Sequence, residues 1–512
     1  MASRRDQLNA YTFAKRRMLA SFVQSSPDGS EEGAPRPLRA VVPGVIVGVI
    51  VMAAFGAWGM FKPTAPQGWD KPGEKVIVAS KSTTRYVVLT TNHKTQLHPV
   101  LNMASAKLLI NGDGDVVTVD ESVLDKGKIP RGVTIGIPYA PDRLPSDKEA
   151  GAKKRWAVCE RPSAGGRSIQ KATFVLASRD MSRTEGTNKL SGGELMYVVG
   201  PDKTRYIVDA HGMAYEVDSA DELLLRTLVG SGREPQRVSA PWLETLHMGD
   251  AISFPHVAGQ VDAAAGIEGS LPEEANHVGM VLRAPNGDTE QYYVVEQGKV
   301  SPVSDFTAKL LLNSRDLVKL GQAGQALDVS AGAFVPSTAE FAADKQWPGQ
   351  LPKAVNEAAP GSGNRNTICN VLRDVDATDK GSGKGATTLS TWAGTTFPAA
   401  LPTGSDSAYV TPGSGQLYRQ FKGEEIDAGG VFLVTDTGLR YAIQSNDDSA
   451  TDDAGIGTTA KERKERQQEV KQAQTSLGYA EVDPAHIPAA WSQFLSTGPR
   501  LSRSAARQPQ GS

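Results

Sequence analysis

The segment Asp379–Gly385, with the sequence DKGSGKG, is the part of this 512-residue chain that most nearly matches a phosphate-binding loop. A Walker A loop follows the pattern G-x-x-x-x-G-K-[ST], because its glycines let backbone amides approach the phosphates and its hydroxyl binds magnesium. Relative to Gly383 and Lys384, Thr378 occupies the first glycine position and Gly385 occupies the hydroxyl position. The segment therefore predicts a flexible loop and no ATP hydrolysis through Lys384.

Other catalytic and metal-binding patterns are equally weak. The sequence contains no G-x-S-x-G nucleophile motif and no H-E-x-x-H site, and its seven histidines are scattered. The segment Asn111–Asp115 (NGDGD) is similar to the start of a calcium loop, but it lacks the spaced glutamate of an EF-hand, so we expect a tight turn. We therefore predict no catalytic, cofactor-binding or metal-binding residue, and the expectation for enzymatic activity leans towards none.

Cys159 and Cys369 are the two cysteines of the chain. Outside the cytosol such a pair most economically forms one disulfide, and two buried free thiols are the alternative. The sequence cannot show whether the two residues are close, since a disulfide needs Cα atoms within about 7 Å. No zinc site is expected, because the chain has no C-x-x-C pattern and no close cluster of cysteine and histidine.

An uncharged apolar run, Ala40–Phe61, predicts one transmembrane helix. A helix of this length is about 33 Å long, which is enough for a hydrocarbon core of roughly 30 Å. The alternative is a cleaved signal peptide, whose apolar region is usually about 7–15 residues long, close to the N-terminus and followed by a small-residue cleavage site. Here the run is longer, begins after residue 39, and is followed by Lys62, Pro63 and Thr64.

The distribution of charge predicts the orientation of this span. Lysine and arginine near a transmembrane helix remain on the cytoplasmic side. The residues before the span carry seven of them: Arg4, Arg5, Lys15, Arg16, Arg17, Arg36 and Arg39. We therefore expect residues 1–39 in the cytoplasm and residues 62–512 outside the inner (plasma) membrane. The overall balance of 55 basic and 57 acidic residues gives no indication of nucleic-acid binding.

The N-terminal residues 4–24 have an apolar pattern of their own, in which Leu8, Tyr11, Met18, Leu19 and Phe22 recur at helical spacing. This predicts an amphipathic helix that could lie on anionic lipid, pack against partner helices, or serve only as a basic topological anchor. We expect partner contacts through seven residues: Leu8, Tyr11, Phe13, Arg16, Arg17, Met18 and Phe22. Residues 25–39 read as a flexible linker, and residues 62–75 as a second, juxtamembrane linker.

The outer region contains four related segments, near residues 76–112, 193–250, 276–315 and 429–498. In each, an apolar run, a polar turn and a β-prone run follow one another, with a tyrosine in the second run: Thr84–Tyr86, Thr204–Tyr206, Gln291–Tyr293 and Leu439–Tyr441. This is a hairpin pattern, and Asn286-Gly287 is its strongest turn. The alternative is chance recurrence of common hairpin sequences.

The endings of the four segments alternate between two kinds. The first and third end in an apolar helix, near residues 104–110 and 307–312. The second and fourth end in a short helix with a buried tryptophan, Trp242 or Trp491, and with Gly249 or Gly498 as the expected C-terminal cap. This order suggests two similar halves.

The segments between and after these repeats complete the predicted organisation of residues 76–500. Residues 113–192 and 316–428 are β-rich, and each contains one cysteine, so a disulfide would tie them into a central domain. Residues 446–475 predict a solvated, partly helical insertion, and residues 501–512 predict a disordered tail.

The head motif formed by Gln7, Ala10, Tyr11, Phe13, Arg16, Arg17 and Met18 resembles the N-terminal signature of the EccB family. EccB is the bitopic membrane component of actinobacterial type VII (ESX) secretion systems. The single span, the four repeats and the two outer cysteines are similar too, although the insertion at 446–475 does not map onto the family pattern. The resemblance implies an α+β fold: a short amphipathic cytoplasmic helix, one transmembrane helix, and an elongated extracytoplasmic region of four strand-turn-strand-helix repeats around a disulfide-linked central β domain.

The resemblance also implies a structural role and a set of partners. The expected function is to assemble and stabilise the inner-membrane secretion complex and to bridge it to the periplasm and cell wall. The implied partners are EccC-, EccD- and EccE-like subunits, a mycosin-type protease, further copies of this chain and the lipid bilayer, with no cofactor and no nucleic acid. Some family members carry an ATPase label. The alternatives are a cell-wall-binding membrane anchor and an extracytoplasmic hydrolase, which would need a convergent polar pocket.

Overall fold

The structure is a computed structural model, and it describes residues 3–23, 37–61, 65–112, 114–163, 165, 168–359, 363–376, 386–402, 407–423, 426, 429–443, 468 and 470–510. Three predictions fall wholly or mostly outside this part of the chain. They are the flexible loop at 379–385, most of the linker at 25–39, and most of the insertion at 446–475.

Two helices belong to a compact unit made of Met1–Trp69, Ala79–Ser82 and Thr118–Lys128. The first, Arg4–Val23, is called the head helix here. The second, Pro37–Phe61, is called the span helix and contains the predicted span. Its window Val41–Trp58 has a mean hydropathy of 2.3 and is not buried by the rest of the protein, so by length and composition this helix can cross a membrane.

Each of the four repeats, called modules 1 to 4, begins with three antiparallel strands rather than the expected two. In module 1 these are Val76–Ala79, Arg85–Thr91 and Lys94–Val100. In module 2 they are Glu194–Val199, Arg205–Val208 and Met213–Val217. In module 3 they are Val281–Asn286, Thr289–Glu296 and Lys299–Val303. In module 4 they are Gly415–Phe421, Val431–Thr435 and Leu439–Ile443.

The first strand of module 4 lies in the range that the sequence assigned to the central domain. Its residues Gly415–Phe421 include the buried polar side chain of Gln416, so the strand lacks the continuous apolar run that identified the other strands. The run Val431–Thr435, which indicated the start of this repeat, is in fact its second strand.

Modules 1 and 3 share one layout. In each, the three strands lead into a helix and then into a short strand that lies beside the first strand of the sheet. Asn102 and Ser304 cap the two helices, because each side chain accepts the N–H of the residue three positions later. The helices and added strands are Met103–Leu109 with Val116–Val119, and Asp305–Asn313 with Leu327–Asp328.

Modules 2 and 4 share a second layout, in which a short parallel strand lies at each edge of the sheet and a tryptophan helix joins the two edges. In module 2 these elements are Gln236–Arg237, Ala240–Leu243 and His247–Met248, preceded by a helix over Glu222–Val229. In module 4 they are Ala485–Pro488, Ala489–Ser492 and Ser496–Thr497. The predicted alternation of two kinds of repeat is therefore confirmed.

Gly249 and Gly498 do not cap the tryptophan helices, as the sequence suggested. Each follows the last edge strand of its module, where a Cβ atom would lie 2.5 Å from the ring of Tyr215 or 2.4 Å from the ring of Tyr441. Both tyrosines are buried, so the ring could not move aside without disrupting the core. The two glycines are therefore required by close packing against an equivalent tyrosine in each module.

The central domain is a five-stranded sheet made of two hairpins. Arg155–Pro162 pairs with Ile169–Leu176 in the first hairpin, and Thr367–Asp376 pairs with Ala386–Gly394 in the second. The first strands of the two hairpins are antiparallel neighbours, and Ala408–Val410 adds a parallel edge strand. The chain therefore contains two similar halves, each made of a module, a hairpin and a second module.

Modules 2 and 4 pack on one face of this sheet, and modules 1 and 3 pack on them in turn. Modules 2 and 4 share a core with the central sheet that includes Trp156, Trp242 and Trp491. Module 1 packs on module 4 through a cluster that includes Leu109 and Tyr441, and Phe306 of module 3 packs into the core of module 2. Each half thus places its first module on the last module of the other half.

The predicted disordered tail is wrong for residues 501–510, which are ordered. Leu501 and Ala506 are fully buried, and Arg503–Ala506 forms a short helix. At the end of the predicted insertion, residues 470–476 are helical as expected, but Ala473 is buried in the cluster shared by modules 1 and 4, so this part is not solvated. In both places a few small or apolar side chains within a polar sequence supply the packing.

Candidate functional site

The head helix presents large apolar side chains to its surroundings. Leu8, Tyr11, Met18 and Phe22 have exposed fractions of 65%, 67%, 64% and 89%. At about 100° per residue, these four positions fall within roughly 80° of the helix circumference. Exposed apolar side chains grouped on one face are typical of a surface that binds lipid or another protein.

The other predicted partner-binding residues do not lie on this face. Relative to Leu8, Phe13 is rotated by about 140°, Arg17 by about 180° and Arg16 by about 80°. Phe13 is 53% exposed. Four of the seven residues therefore form an apolar stripe, Phe13 and Arg17 lie on the opposite side, and Arg16 lies between the two. Their role in binding stays a prediction.

Cys159 and Cys369 form the expected disulfide, so the alternative of two buried thiols is wrong. The two sulfur atoms are 2.02 Å apart, and the Cα atoms are 4.0 Å apart. The residues lie directly opposite each other on the neighbouring strands of the two central hairpins, and both are fully buried. Phe174 and Trp392 pack around them on the face of the sheet that modules 2 and 4 leave free.

The disulfide connects the two halves of the outer region. It links residues separated by 210 positions, and the closed loop contains the whole of modules 2 and 3. The bond therefore holds the two central hairpins together independently of the backbone hydrogen bonds between them. Because it has no exposed surface, it is protected from reductants while the sheet remains folded.

Glu160 is a buried carboxylate that the sequence analysis did not identify. Strand alternation places it with Trp156 on the face that contacts modules 2 and 4, opposite Cys159. Its Oε1 accepts the hydroxyl proton of Ser239 at 2.5 Å, and its Oε2 accepts the backbone N–H of Ser239 at 2.9 Å. Lys171 Nζ lies 3.9 Å away. Ser239 is the N-cap of the tryptophan helix of module 2, so Glu160 joins that helix to the central sheet.

Burial raises the pKa of the Glu160 carboxyl group above its ordinary value of 4.5, against the opposing effect of the hydrogen bonds from Ser239. The folded protein therefore binds this proton more tightly than the unfolded chain does. As pH falls through the raised pKa towards 4.5, protonation of Glu160 stabilises the fold, and this stabilisation is lost as pH rises.

The corresponding prediction compares the native protein with Glu160→Gln, which does not titrate at this position. We expect the free energy of unfolding of the native protein, minus that of the variant, to increase as pH falls from 7 towards 4.5. Urea unfolding at several pH values measures this difference, and contributions from all other groups cancel. A difference that stays constant with pH would contradict the assignment.

Three further buried hydrogen bonds hold modules 2 and 4 on the central sheet. Asn370 donates through Nδ2 to the carbonyl of Trp242 at 3.1 Å and to the hydroxyl of Thr245 at 2.7 Å. Trp156 donates through Nε1 to Gln416 Oε1 at 2.7 Å, which connects the sheet to module 4. A polar residue inside an otherwise apolar strand was the sequence signal that could have identified Glu160 and Asn370, whereas the strand of Gln416 carries no such signal.

Metal-binding clusters and the predicted loops were the remaining candidates for a chemical site. Among the described residues, no group of three or more histidine, cysteine, aspartate or glutamate side chains could hold a metal ion. Lys384 and its loop lie outside this part of the chain, as does Asp113 of the predicted turn. The absence of ATP hydrolysis through Lys384 therefore stays a prediction from the sequence.

Comparison with known proteins gives concordant results. Residues 1–511 match the family described as "Type VII secretion system ESX-1, transport TM domain B". The ESX-3 secretion system ATPase EccB3 of Mycobacterium tuberculosis H37Rv is 25% identical over 541 residues, covering 98% of this chain and 88% of that protein. The ESX-1 secretion system ATPase EccB1 of the same strain is 26% identical over 350 residues, covering 68% and 67%.

Solved structures share the fold. A chain of an intact ESX-5 inner membrane complex has a TM-score of 0.57 and 18% identity, covering 100% of this chain and 96% of that chain. A chain of an EccB3 dimer from the ESX-3 core complex has a TM-score of 0.54 and 23% identity, covering 85% and 99%. The family match over residues 1–511 shows that this chain belongs to the EccB family of type VII secretion system membrane proteins.

Proposed function

We propose that this protein is a structural subunit of a type VII secretion complex in the inner membrane, where it helps to assemble and stabilise the complex and connects it to the periplasm and cell wall. The observation that carries the proposal is the family match over residues 1–511, because it includes the head helix, the span helix and the outer region together. The related structures are of an ESX-5 inner membrane complex and of an EccB3 dimer. By analogy, we infer that copies of this chain associate through their outer regions.

We propose a single-pass orientation with the N-terminus in the cytoplasm. The basic residues before the span favour this orientation, since lysine and arginine stay on the cytoplasmic side. The disulfide between Cys159 and Cys369 supports it, because structural disulfides persist in oxidising compartments and are rare in the cytosol. On this orientation the modules and the central sheet lie on the side of the mycosin-type protease that the family resemblance implies.

The head helix is the surface that we propose contacts EccC-, EccD- and EccE-like membrane subunits. Its apolar stripe is exposed, and burying such side chains against a partner contributes about 1.5–3 kcal/mol each. Arg16 and Arg17 can add charge-assisted hydrogen bonds to carboxylates of a partner or to lipid phosphates. The stripe and the basic residues together fit a helix that lies at the cytoplasmic membrane surface among partner helices.

A double substitution in the stripe tests this proposal. Tyr11→Ala combined with Met18→Ala should lower the amount of the large complex on native gels at least about tenfold, because two apolar contacts are lost. Asn9→Ala is the matched control: it removes an exposed polar side chain from the same helix, and complex formation should be unchanged. Membrane insertion and disulfide formation should be normal in both variants.

Two further variants of the head helix complete the test. Arg16→Glu with Arg17→Glu should weaken assembly in a salt-dependent way, because it reverses two charges without removing the stripe. If a protein lacking residues 4–23 assembled and supported secretion at the native level, the helix would be only a topological anchor, and the proposed contacts would be wrong.

A further inference from the structure

The C-terminal segment, residues 501–510, is attached to modules 4 and 1 along its whole length. The backbone N–H of Leu501 donates to the carbonyl of Ala442 in module 4 at 2.8 Å. Ser502 caps the following helix, because its hydroxyl accepts the N–H of Ala505 at 3.1 Å. Leu501 and Ala506 are fully buried in the cluster shared by modules 1 and 4. This end of the chain is therefore part of the core.

Arg503 connects the C-terminal helix to module 1. Its Nη2 donates to Asn111 Oδ1 at 2.7 Å and to the carbonyl of Leu109 at 3.4 Å. Leu109 is the last residue of the module 1 helix, whose final carbonyls have no partner within that helix. A cationic side chain at this position also interacts favourably with the helix dipole. The C-terminal helix thus completes the end of the module 1 helix.

Beyond this helix, residues 508–510 form an antiparallel bridge with residues 134–136, a segment that lies beside the last strand of module 1 because Ile135 pairs there with Val100. The N–H of Gly136 donates to the carbonyl of Gln508 at 3.4 Å, and the N–H of Gln510 donates to the carbonyl of Thr134 at 2.8 Å. The side chain of Gln510 adds a third bond, from Nε2 to the carbonyl of Gly136 at 2.9 Å. The C-terminal segment therefore satisfies backbone groups of residues 134–136 that would otherwise be open on the side facing away from module 1.

Pro509 occupies a position where a proline removes no hydrogen bond to residues 134–136. It lies opposite Ile135, and the hydrogen bonds on either side are made by the neighbouring residues. Ile135 and Pro509 are therefore a pair that exchanges no hydrogen bonds, so the N–H that proline lacks would point away from module 1. On that outer side, the missing donor also prevents another strand from pairing at this point.

We propose that residues 134–136, beside the last strand of module 1, form a site that binds an extended segment, and that its ligand is the chain's own C-terminal segment. This segment acts as a clasp between module 1, the first module after the span helix, and module 4, the last. The inference does not depend on the proposed role in secretion. The site recognises an extended segment through backbone hydrogen bonds, with a proline opposite Ile135 and a glutamine after it.

Hydrogen exchange of the Gly136 amide in the full-length protein, purified in detergent, tests the clasp. Ending the chain at Arg507 removes the strand but keeps buried Leu501 and Ala506, so the fold is retained. We expect exchange at Gly136 to become at least about tenfold faster, because its hydrogen-bond acceptor is gone. The disulfide-linked central sheet should exchange at its native rate and so report that the protein remains folded.

Two single substitutions distinguish loss of the hydrogen bonds to residues 134–136 from a general effect of changing the C-terminal segment. Gln510→Pro removes the donor to Thr134, and it should accelerate exchange at Gly136 nearly as much as the truncation does. Pro509→Ala changes the neighbouring residue but leaves every observed bond intact, and exchange should stay within about twofold of the native rate. Native exchange in the truncated protein, or equal acceleration by both substitutions, would overturn the proposal.

Discussion

Replacing both Cys159 and Cys369 by alanine is expected to lower the free energy of unfolding of the full-length protein by about 3–5 kcal/mol. The disulfide closes a loop of 210 residues, and a loop of this size removes much conformational freedom from the unfolded chain. The loop contains modules 2 and 3, so without the bond the unfolded halves separate freely. Urea unfolding in detergent, followed by tryptophan fluorescence, measures the change.

A single substitution provides the control for this experiment. Cys159→Ala alone already breaks the disulfide, so adding Cys369→Ala should change stability only slightly further. Reductant alone, without urea, should leave the native protein unchanged, because both sulfur atoms are fully buried. An unfolding midpoint that does not move in the double variant would show that the bond is not what holds the two central hairpins together.

Replacing either tryptophan of the module helices by alanine is expected to cost a similar amount, about 3–5 kcal/mol for each. Trp242 and Trp491 have exposed fractions of 0% and 2%, and both lie in the core that modules 2 and 4 share with the central sheet. Because they occupy equivalent positions in the two halves, the two losses should be alike. Urea unfolding of the two single variants measures them.

Phenylalanine substitutions separate the packing of the tryptophans from their hydrogen bonding. Trp242 Nε1 finds no hydrogen-bond partner among the described residues, so Trp242→Phe loses only ring volume. Trp156→Phe also leaves the buried Gln416 oxygen unpaired, which adds about 1–3 kcal/mol. Equal costs for these two variants would contradict the assigned role of the bond between Trp156 and Gln416.

Features that depend on local pattern could be predicted from the sequence. The span helix follows from an uncharged run longer than a bilayer core, and the head helix from apolar residues at helical spacing. The alternation of modules followed from recurrent runs, turns and tryptophan helices, and the topology of the sheets confirms it. The disulfide could be anticipated because the two cysteines were expected outside the cytosol, where no third thiol competes.

Features that depend on contacts between distant segments could not be predicted. Gln416 and Glu160 are polar residues within buried strands, and their partners, Trp156 and Ser239, lie 260 and 79 residues away. The tail has the composition of a disordered segment, but Leu501 and Ala506 find an apolar cluster built by modules 1 and 4. A polar composition therefore does not predict disorder when a few small or apolar side chains meet a complementary surface.

The family motif did not reveal that the head helix has two distinct faces. The motif includes Phe13, Arg17 and Met18 in one set of sequence positions. Helical geometry, however, separates Phe13 and Arg17 from the stripe that contains Met18. This geometry predicts that substitutions on the two sides of the helix have different effects on assembly. It also explains why the stripe, rather than the whole motif, is the target of the double substitution.

The proposed role as a structural subunit is tested most directly by purifying the tagged full-length protein from detergent-solubilised membranes and measuring the mass and composition of what elutes. We predict a large complex that contains several copies of this chain together with EccC-, EccD- and EccE-like subunits. The Tyr11→Ala, Met18→Ala variant, purified in parallel, should yield much less of it. A monomer of about 54.3 kDa without co-purifying membrane subunits would contradict the proposed function.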